Sequence, residues 1–588
     1  MAQRRNNDFS TLDTLRSRLP LVIVGLIVVS VVLLGRLVSF QFQIGMTPEV
    51  VSYLERLRDS AYTRTLRLAA ARGNIYDRRG DVMAVNTLEY QIGVSPNLVA
   101  NRREVATQLS SVLGLPELEV FEALSRSDPW VLLAPRVTAE VGQRVAALNL
   151  GRAITMSPIP RRSYPQGVLA SQVIGFVGGD LQGYYGVEGY YQQQLAGVVR
   201  DRQVSTIPLF AEIRDFEGDR GSDIVLTIDR DIQFVAESEL LRAISETGAQ
   251  QGCIIVMDPR NGDVLAMASY PSFDPNAYFN ITDPNVLRNL CVSDNYEPGS
   301  VLKVVTMAAA LDRGTITPTF TYVDQGTLNV GGITVRNWDR RAWGTQDATQ
   351  ILVQSLNVGV ATISTMMGTE AFYGELAEFG FGRLTGIDIQ GEEAGIMYVP
   401  GHPNWSESNL ATNAFGQGIS VTPLQMLTAI NAIANGGLMM QPRVVHQIID
   451  DGVVYRSQPT VLGRPISAEV AAIVSQMMVE VVRDGLDGGA SLPGYTVAGK
   501  TGTAQIPTPI GYEANASIAT FVGFLPADAP QISVLVRLDR PRDYWASLVA
   551  APVFRRLTER LVIMLSIPPD NIRYELAAQG GAVGQIRR

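Results

Sequence analysis

Apolar positions follow three different patterns along the chain. Near the N-terminus, Arg18 and Arg36 bracket seventeen uncharged residues, LPLVIVGLIVVSVVLLG, with no polar face. Seventeen residues is the short end of a membrane span, and Arg36 can snorkel to the headgroups, which extends the span over 19–40. From 50 to 68 the pattern is helical with mixed charge. ARGNIYDRRGDVMAVN (71–86) reads as two short strands around the turn Asp77-Arg78-Arg79-Gly80. Between 104 and 150, EVATQLSSVLGL and ELEVFEALSRS carry the Leu/Val spacing of short helices. Near Gly221 the text changes again. SDIVLTID is a strand that leads into the helix DIQFVAESELLRAISETGA. CIIVMDPRNGDVLAMASY is a hairpin around Asn261-Gly262, a dipeptide favoured in tight turns. From about 280 to 480 helix and loop dominate; then come the strands YTVAGKTGTAQIP, ASIATFVGFLP and QISVLVRLD and the helix PVFRRLTERLVIML. Strands at both ends with helices between predict one sheet built from distant segments, with a helical insert at its side. The terminal ELAAQGGAVGQIRR has the composition of a disordered tail.

Charge and composition narrow the function. The 588 residues are 46% hydrophobic and 18% charged, with a net charge of −9. The acidic balance argues against nucleic acid as a partner. The flank before the apolar run carries Arg4, Arg5, Arg16 and Arg18 against Asp8 and Asp13, which keeps the N-terminus in the cytoplasm and exports everything after Phe40. The alternative, a cleaved signal peptide, has against it the length of the run and the lack of an A-x-A-like site. No second run of that length occurs, so the protein is expected to be single-pass with about 550 residues outside. Two Cys exclude a zinc ribbon and a disulfide framework, and Cys253 in CIIVM reads as a packed core thiol. With only His402 and His446, a nucleophile here must find a base other than imidazole.

Three short motifs address that shortage. Ser300-Val301-Leu302-Lys303, introduced by Glu297-Pro298-Gly299, opens an apolar helix; positions i and i+3 share a face, so serine and lysine sit together at a helix start. A lysine among apolar residues has its charged form disfavoured and can serve as a base for serine. Ser355-Leu356-Asn357 offers a hydroxyl and an amide that point the same way in extended backbone. Lys500-Thr501-Gly502-Thr503 lies in an apolar strand, where Gly502 permits close backbone approach by a substrate and Lys500 and Thr501 face a carboxylate. Each motif alone reads more readily as a helix cap or a strand-end turn. Together and in order, 55 and 145 residues apart, they match the S-x-x-K, S-x-N and K-T-G set of serine β-lactamases and penicillin-binding proteins.

With RGNIYDRRGDVMAVN, RRSYPQGVLASQVIGFVGGDLQGYYGVEGYYQQQLAG, ASYPSFDPN, SDNYEPGSVLK, AFGQGISVTPLQM and AGKTGTAQ, the chain resembles a class B penicillin-binding protein, a monofunctional peptidoglycan D,D-transpeptidase. Val301-Leu302 departs from the Thr-Phe or Thr-Met of many members. The resemblance implies an α+β multidomain fold: a cytoplasmic tail (1–18), an anchor (19–40), an elongated non-catalytic dimerisation or pedestal domain (41–220), a transpeptidase domain with a five-stranded antiparallel sheet and an all-helical subdomain (221–567), and a disordered tail (568–588). It implies that Ser300 attacks the penultimate D-Ala carbonyl, Lys303 takes its proton, Ser355 helps protonate the departing D-Ala, Asn357 holds the donor amide, and Lys500 and Thr501 bind the terminal carboxylate. The N–H groups of Ser300 and Thr503 form an oxyanion hole, worth about 3 kcal/mol per donor. No metal or organic cofactor is implied. The implied partners are donor and acceptor stem peptides, β-lactams as inhibitors, a glycan polymerase of the SEDS family and membrane proteins of the division complex. EPGSVLK after SDNY, and AFGQGISVTPLQ, resemble the septal more than the elongation type. The competing readings are a secreted β-lactamase, a non-catalytic β-lactam-binding scaffold or sensor, and a D,D-carboxypeptidase.

Overall fold

The computed structural model describes residues 9–41, 47–49, 51–53, 63–68, 70–198, 200–205, 219–486, 489–508 and 511–578. The chain packs as two units, 1–69 with 199–218, and 70–198 with 219–588. In the first, Phe9–Gln41 is one helix whose segment Leu19–Ser39 is apolar and unburied. At 1.5 Å per residue those 21 residues span about 30 Å, the thickness of a bilayer's hydrocarbon core. The helical expectation for 50–68 fails at its end: Thr63–Leu68 is a strand, paired antiparallel with Arg200–Ser205. TRTLRL alternates with period two, and its partner lies more than 130 residues away, beyond reach of a local reading. Residues 54–62 lie outside the described residues.

In the second unit the expected sheet from distant segments is present. Its five antiparallel strands run in the order Val264–Tyr270, Gln251–Met257, Ile532–Asp539, Gly511–Leu525, Ala498–Thr508. Both faces are buried, so side chains alternate between two cores. Phe521, Val534 and Val536 pack with the helices Arg230–Thr247 and Ala546–Met564. Val522 and Leu535 face the helices Leu302–Asp312, Pro423–Ala434 and Ala468–Asp484.

A second, seven-stranded sheet crosses residue 220. Ile75–Tyr76 runs parallel to Asp223–Leu226 and antiparallel to Val82–Val94; Val445–Asp450 and Val453–Arg456 extend one side, Val131–Thr138 and Ile154–Ser163 the other. The turn at Gly80 forms as the sequence predicts. Asp77 is fully buried; it accepts from the N–H groups of Arg79 and Asp81 at 2.8 Å and from Arg230 at 3.1 Å, which ties that turn to the start of the 230–247 helix. Nearby, the buried carboxylate of Glu188 takes Arg72 at 2.6 Å and Arg162 at 2.7 Å. The RGN and GVEG segments therefore meet on one charge network, where removal of either partner would strand a buried ion.

Five local expectations change. Cys253 and Cys291 form a disulfide rather than standing as packed thiols; Cys291 sits on the short helix Leu290–Ser293 laid against the hairpin, a contact 38 residues away in sequence. Asn261-Gly262 lies in a six-residue loop, 258–263, not a tight turn. Gly262 is needed there because at φ +81° a Cβ would stand 2.1 Å from the Gln441 carbonyl oxygen. Val131–Thr138 is a strand among the helices of 104–150. Short strand pairs interrupt the helical stretch 280–480, each too brief to show a period. The tail expected to be disordered begins as a helix, Asp570–Ala578: Arg573 is buried against Asp528 and Asp570, and Asp570 accepts from the Thr496 N–H at 2.6 Å. Residues 579–588 lie outside the described residues.

Replacing both cysteines by alanine is expected to cost about 2–4 kcal/mol of stability, read as a lowered thermal midpoint in calorimetry. An unchanged midpoint would contradict a structural role for the bridge.

Candidate active site

Pro298 and Gly299 bring the chain into a single 3₁₀ turn, Gly299–Val301, before the Leu302–Asp312 helix begins. Ser300 is on that turn, half-buried, with the helix behind it sealed in the core. Two glycines fix the turn from opposite sides. Gly299 donates to the Gly416 carbonyl at 3.1 Å, and Gly416 has φ +81°; a Cβ there would lie 2.2 Å from the Gly299 oxygen. A Cβ on Gly502 would lie 2.7 Å from the Pro298 oxygen and 2.8 Å from Val301 Cγ2. The close approach that Gly502 permits is thus at least to the Ser300 turn itself.

Lys303 stands one helical turn on and is 0% exposed; its Nζ donates to the Ser355 carbonyl at 2.6 Å and to Ser355 Oγ at 3.1 Å. Lys500, 1% exposed, lies on the edge strand of the five-stranded sheet; its Nζ reaches the same Oγ at 3.2 Å and the Thr501 carbonyl at 3.2 Å. One serine hydroxyl therefore sits between two buried amines from a helix and a strand. Ser355 is not in extended backbone as expected. It has φ +55°, between the helices Ala348–Val353 and Asn357–Met367. A left-handed residue with a side chain costs on the order of 1 kcal/mol or more; the Ser355 N–H bond to Leu352 and the Leu356 N–H bond to Ile351 hold it. Asn357 opens the second helix and its Nδ2 donates to the Arg336 carbonyl at 3.0 Å. Thr501 and Thr503 are half-buried, and Thr503 Oγ1 accepts from the Ala546 N–H at 3.1 Å, capping the 546–564 helix.

Neither lysine has a carboxylate partner among the described residues. Burial, then the charge of Lys500, hold the Lys303 amine well below the usual lysine range. Burial alone pushes Lys500 down to about 8. A desolvated amine beside a like charge favours its neutral form, so Lys303 is suited to accept a proton and Lys500 to remain the cation. These two are the only lysines among the chain's 48 basic residues. Every other one is an arginine, which does not deprotonate in proteins.

Motif reading missed several groups at the site. Glu297 is buried, and its carboxylate accepts from the Gly418 N–H at 2.9 Å and the Tyr512 hydroxyl at 3.2 Å, joining the Ser300 turn to two neighbouring segments. Trp338 and Trp545 meet edge to face with centroids 5.4 Å apart; one is bonded through Nε1 to the Gln354 carbonyl, the other precedes Ala546. No local pattern marks these residues. The lysine count was a signal in plain sight, since a titratable cation used twice in 588 residues points to its own site.

Comparison with known proteins follows the same lines. Residues 252–559 match the penicillin binding protein transpeptidase domain and residues 67–226 the penicillin-binding protein dimerisation domain. The chain is 33% identical to stage V sporulation protein D of Bacillus subtilis (strain 168), over 96% of this chain and 88% of that protein. It is 30% identical to the probable peptidoglycan D,D-transpeptidase PbpC of Pseudomonas aeruginosa, over 97% and 98%. Penicillin binding protein 3 of Mycobacterium tuberculosis, solved in complex with aztreonam, superimposes with a TM-score of 0.67 at 30% identity, covering 86% of this chain and 98% of that one. Fold and matched domains define a serine-type transpeptidase. The chain belongs to the class B penicillin-binding proteins and is a peptidoglycan D,D-transpeptidase.

The buried lysines make stability depend on pH in a defined sense. Below its folded pKa each lysine is protonated in both states, and above about 10.4 in neither. Between those limits the unfolded chain holds the extra proton, so stability rises with pH. The thermal midpoint of wild type, measured against Lys500→Met, is expected to climb from about pH 8 to about pH 10. A flat or falling difference over that window would contradict the lowered amine.

Proposed function

We propose that the chain cross-links peptidoglycan stem peptides at the division septum through an acyl-enzyme on Ser300. The observation that carries the chemistry is the Ser355 hydroxyl shared by Lys303 and Lys500 beside the Ser300 turn. Ser300 Oγ attacks the penultimate D-Ala carbonyl and its proton passes to neutral Lys303. Backbone N–H groups of Ser300 and Thr503 receive the developing oxyanion. Collapse breaks the peptide bond, and the leaving D-Ala nitrogen takes the proton back from Lys303 by way of Ser355 Oγ. Asn357, its Nδ2 already donated to Arg336, keeps its amide oxygen for the donor's N–H. Lys500 and Thr501 bind the terminal carboxylate. An amine from a second stem peptide then resolves the ester, its proton following the same route in reverse.

β-Lactams, which bind a relative as aztreonam does, would acylate the same serine. With this reading goes a topology in which 1–18 is cytoplasmic, 19–40 is the anchor, and the front domain (41–220) and catalytic domain (221–567) are extracytoplasmic. The apolar helix supports it. A SEDS-family polymerase and division proteins are the partners that the septal reading supplies. That reading rests on SDNYEPGSVLK and AFGQGISVTPLQ.

Fluorescent penicillin is expected to label the wild-type protein in membranes, at the septum, and to leave Ser300→Ala dark. Labelling that survives Ser300→Ala would sink the acyl-enzyme, and side-wall label would overturn the septal role. The rate of labelling is expected to level off well before the range where a free lysine loses its proton, since burial and the charge of Lys500 hold Lys303 below that range. A rate still climbing tenfold per unit towards pH 10 would show an ordinary lysine. Incubation with two stem peptides is expected to yield the cross-linked dimer; release of D-Ala alone would mark a carboxypeptidase.

A further inference from the structure

Of the three residues that introduce the Ser300 turn, Glu297 has no part in the chemistry proposed above. It is 6% exposed, and among the described residues no cation lies on it. A glutamate is almost never buried without a charge partner, and burial lifts this one above the ordinary glutamate value. Two neutral donors take the place of a cation. The Gly418 N–H donates to Oε1 at 2.9 Å and the Tyr512 hydroxyl to Oε2 at 3.2 Å. A carboxylate suits that pair, because each oxygen accepts and both donors are served at once.

The Ser300 turn is held from three sides. Along the first, the chain from Tyr296 to Gly299 runs beside 416–421. Tyr296 and Val421 exchange backbone bonds at 3.0 and 2.9 Å, and the Gly299 N–H reaches the Gly416 carbonyl. On the second, the turn rests on the edge strand, where Gly502 leaves room for Pro298 and Val301, and a Cβ on Gly299 would stand 3.3 Å from the Ala504 Cβ. The third is the side-chain bond from Tyr512 to Glu297. Tyr512 lies in the outer arm of the 498–525 hairpin, opposite Pro507, and is 42% exposed. Among the described residues no other hydrogen bond joins 297–301 to that hairpin. Packing sets how close the turn can come to the strand; a hydrogen bond limits how far it can move away.

That limit matters because Ser300 and Thr503 belong to different elements. On the reading above, their N–H groups converge on one oxygen, and such a constellation tolerates about 0.5 Å of error. We infer that Glu297 is a positioning residue for the transpeptidase reaction: through Tyr512 it holds the Ser300 turn on the hairpin that carries Thr503, and so sets the nucleophile against the oxyanion donors. The inference rests on the acyl-enzyme proposed above.

Labelling of the full chain over a range of fluorescent penicillin concentrations separates the saturating acylation rate from the half-saturating concentration. Tyr512→Phe removes the hydroxyl alone. Its saturating rate is expected to fall about tenfold, which is what loss of one hydrogen bond to a carboxylate is worth, with the half-saturating concentration and the final labelled fraction as in wild type. Glu297→Ala is expected to lose at least as much. Glu297→Gln is expected to return to within about threefold of wild type, because its amide oxygen serves Gly418 and its NH₂ meets the Tyr512 oxygen. A wild-type rate in Tyr512→Phe, or a smaller labelled fraction at an unchanged rate, would overturn the positioning role. Hydrogen exchange in the unacylated protein reads the tie without the chemistry, and the segment 297–303 is expected to exchange severalfold faster in Tyr512→Phe. Faster exchange in a chain whose Ser300 no penicillin labels would sink the acyl-enzyme and support the tie. Normal labelling of Ser300 with unchanged exchange would sink the tie and support the acyl-enzyme.

Discussion

Two ammonium-type side chains buried around one hydroxyl, with no acid among the described residues to neutralise them, is the arrangement on which the rest of this molecule depends. Burying a charge unpaired costs several kcal/mol, so burial of both amines favours loss of a proton from one of them. Its neighbour's charge and the apolar Leu302–Leu311 segment push Lys303 that way. The energy that destabilises the folded state here is the same energy that makes the Lys303 amine available as a base well below the usual lysine range. Arginine everywhere else sets these two apart: the chain's only lysines are the one suited to accept a proton and the one suited to remain the cation beside it.

Holding that cluster requires three segments far apart in sequence to be placed within hydrogen-bond reach. A strand at the edge of the five-stranded sheet delivers Lys500, a core helix delivers Lys303, and a strained loop residue delivers Ser355. The glycines at 416 and 502 remove the side chains that would otherwise push the Ser300 turn away. Helices on both faces of the sheet make its strands rigid, and the disulfide fastens the segment just before the Ser300 turn to the sheet's own hairpin. Beyond them, the second sheet and the Glu188 charge network join the front segments to the catalytic half as one packed unit.

Much of this was legible in the amino-acid text, and the failures share a cause. The strands of the five-stranded sheet, the helix after Ser300 and the motif order are written in local periodicity and spacing, so they could be read. The Cys253–Cys291 bridge, the pairing of Ile75 with Ile224 and the strand at 63–68 depend on partners at long range, which no window along the chain reports. Ser355 was misplaced for a different reason: its left-handed backbone is imposed by the two helices it joins and runs against its own preference. Gly502 was read as a place of close approach, and the Ser300 turn, which no local pattern reports, is one of the things that approaches.

The central claim is that the Lys303 amine in this site gives up its proton well below the usual lysine range. Because the chain holds only two lysines, full-length protein labelled with ¹⁵N at lysine Nζ gives one side-chain signal for Lys303 and one for Lys500, and Lys500→Arg assigns them. The account predicts that Lys303 loses its proton well below the range of a free lysine, and that Lys500 titrates near 8. Two ammonium signals that both titrate near 10.4, as in a free lysine, would contradict it.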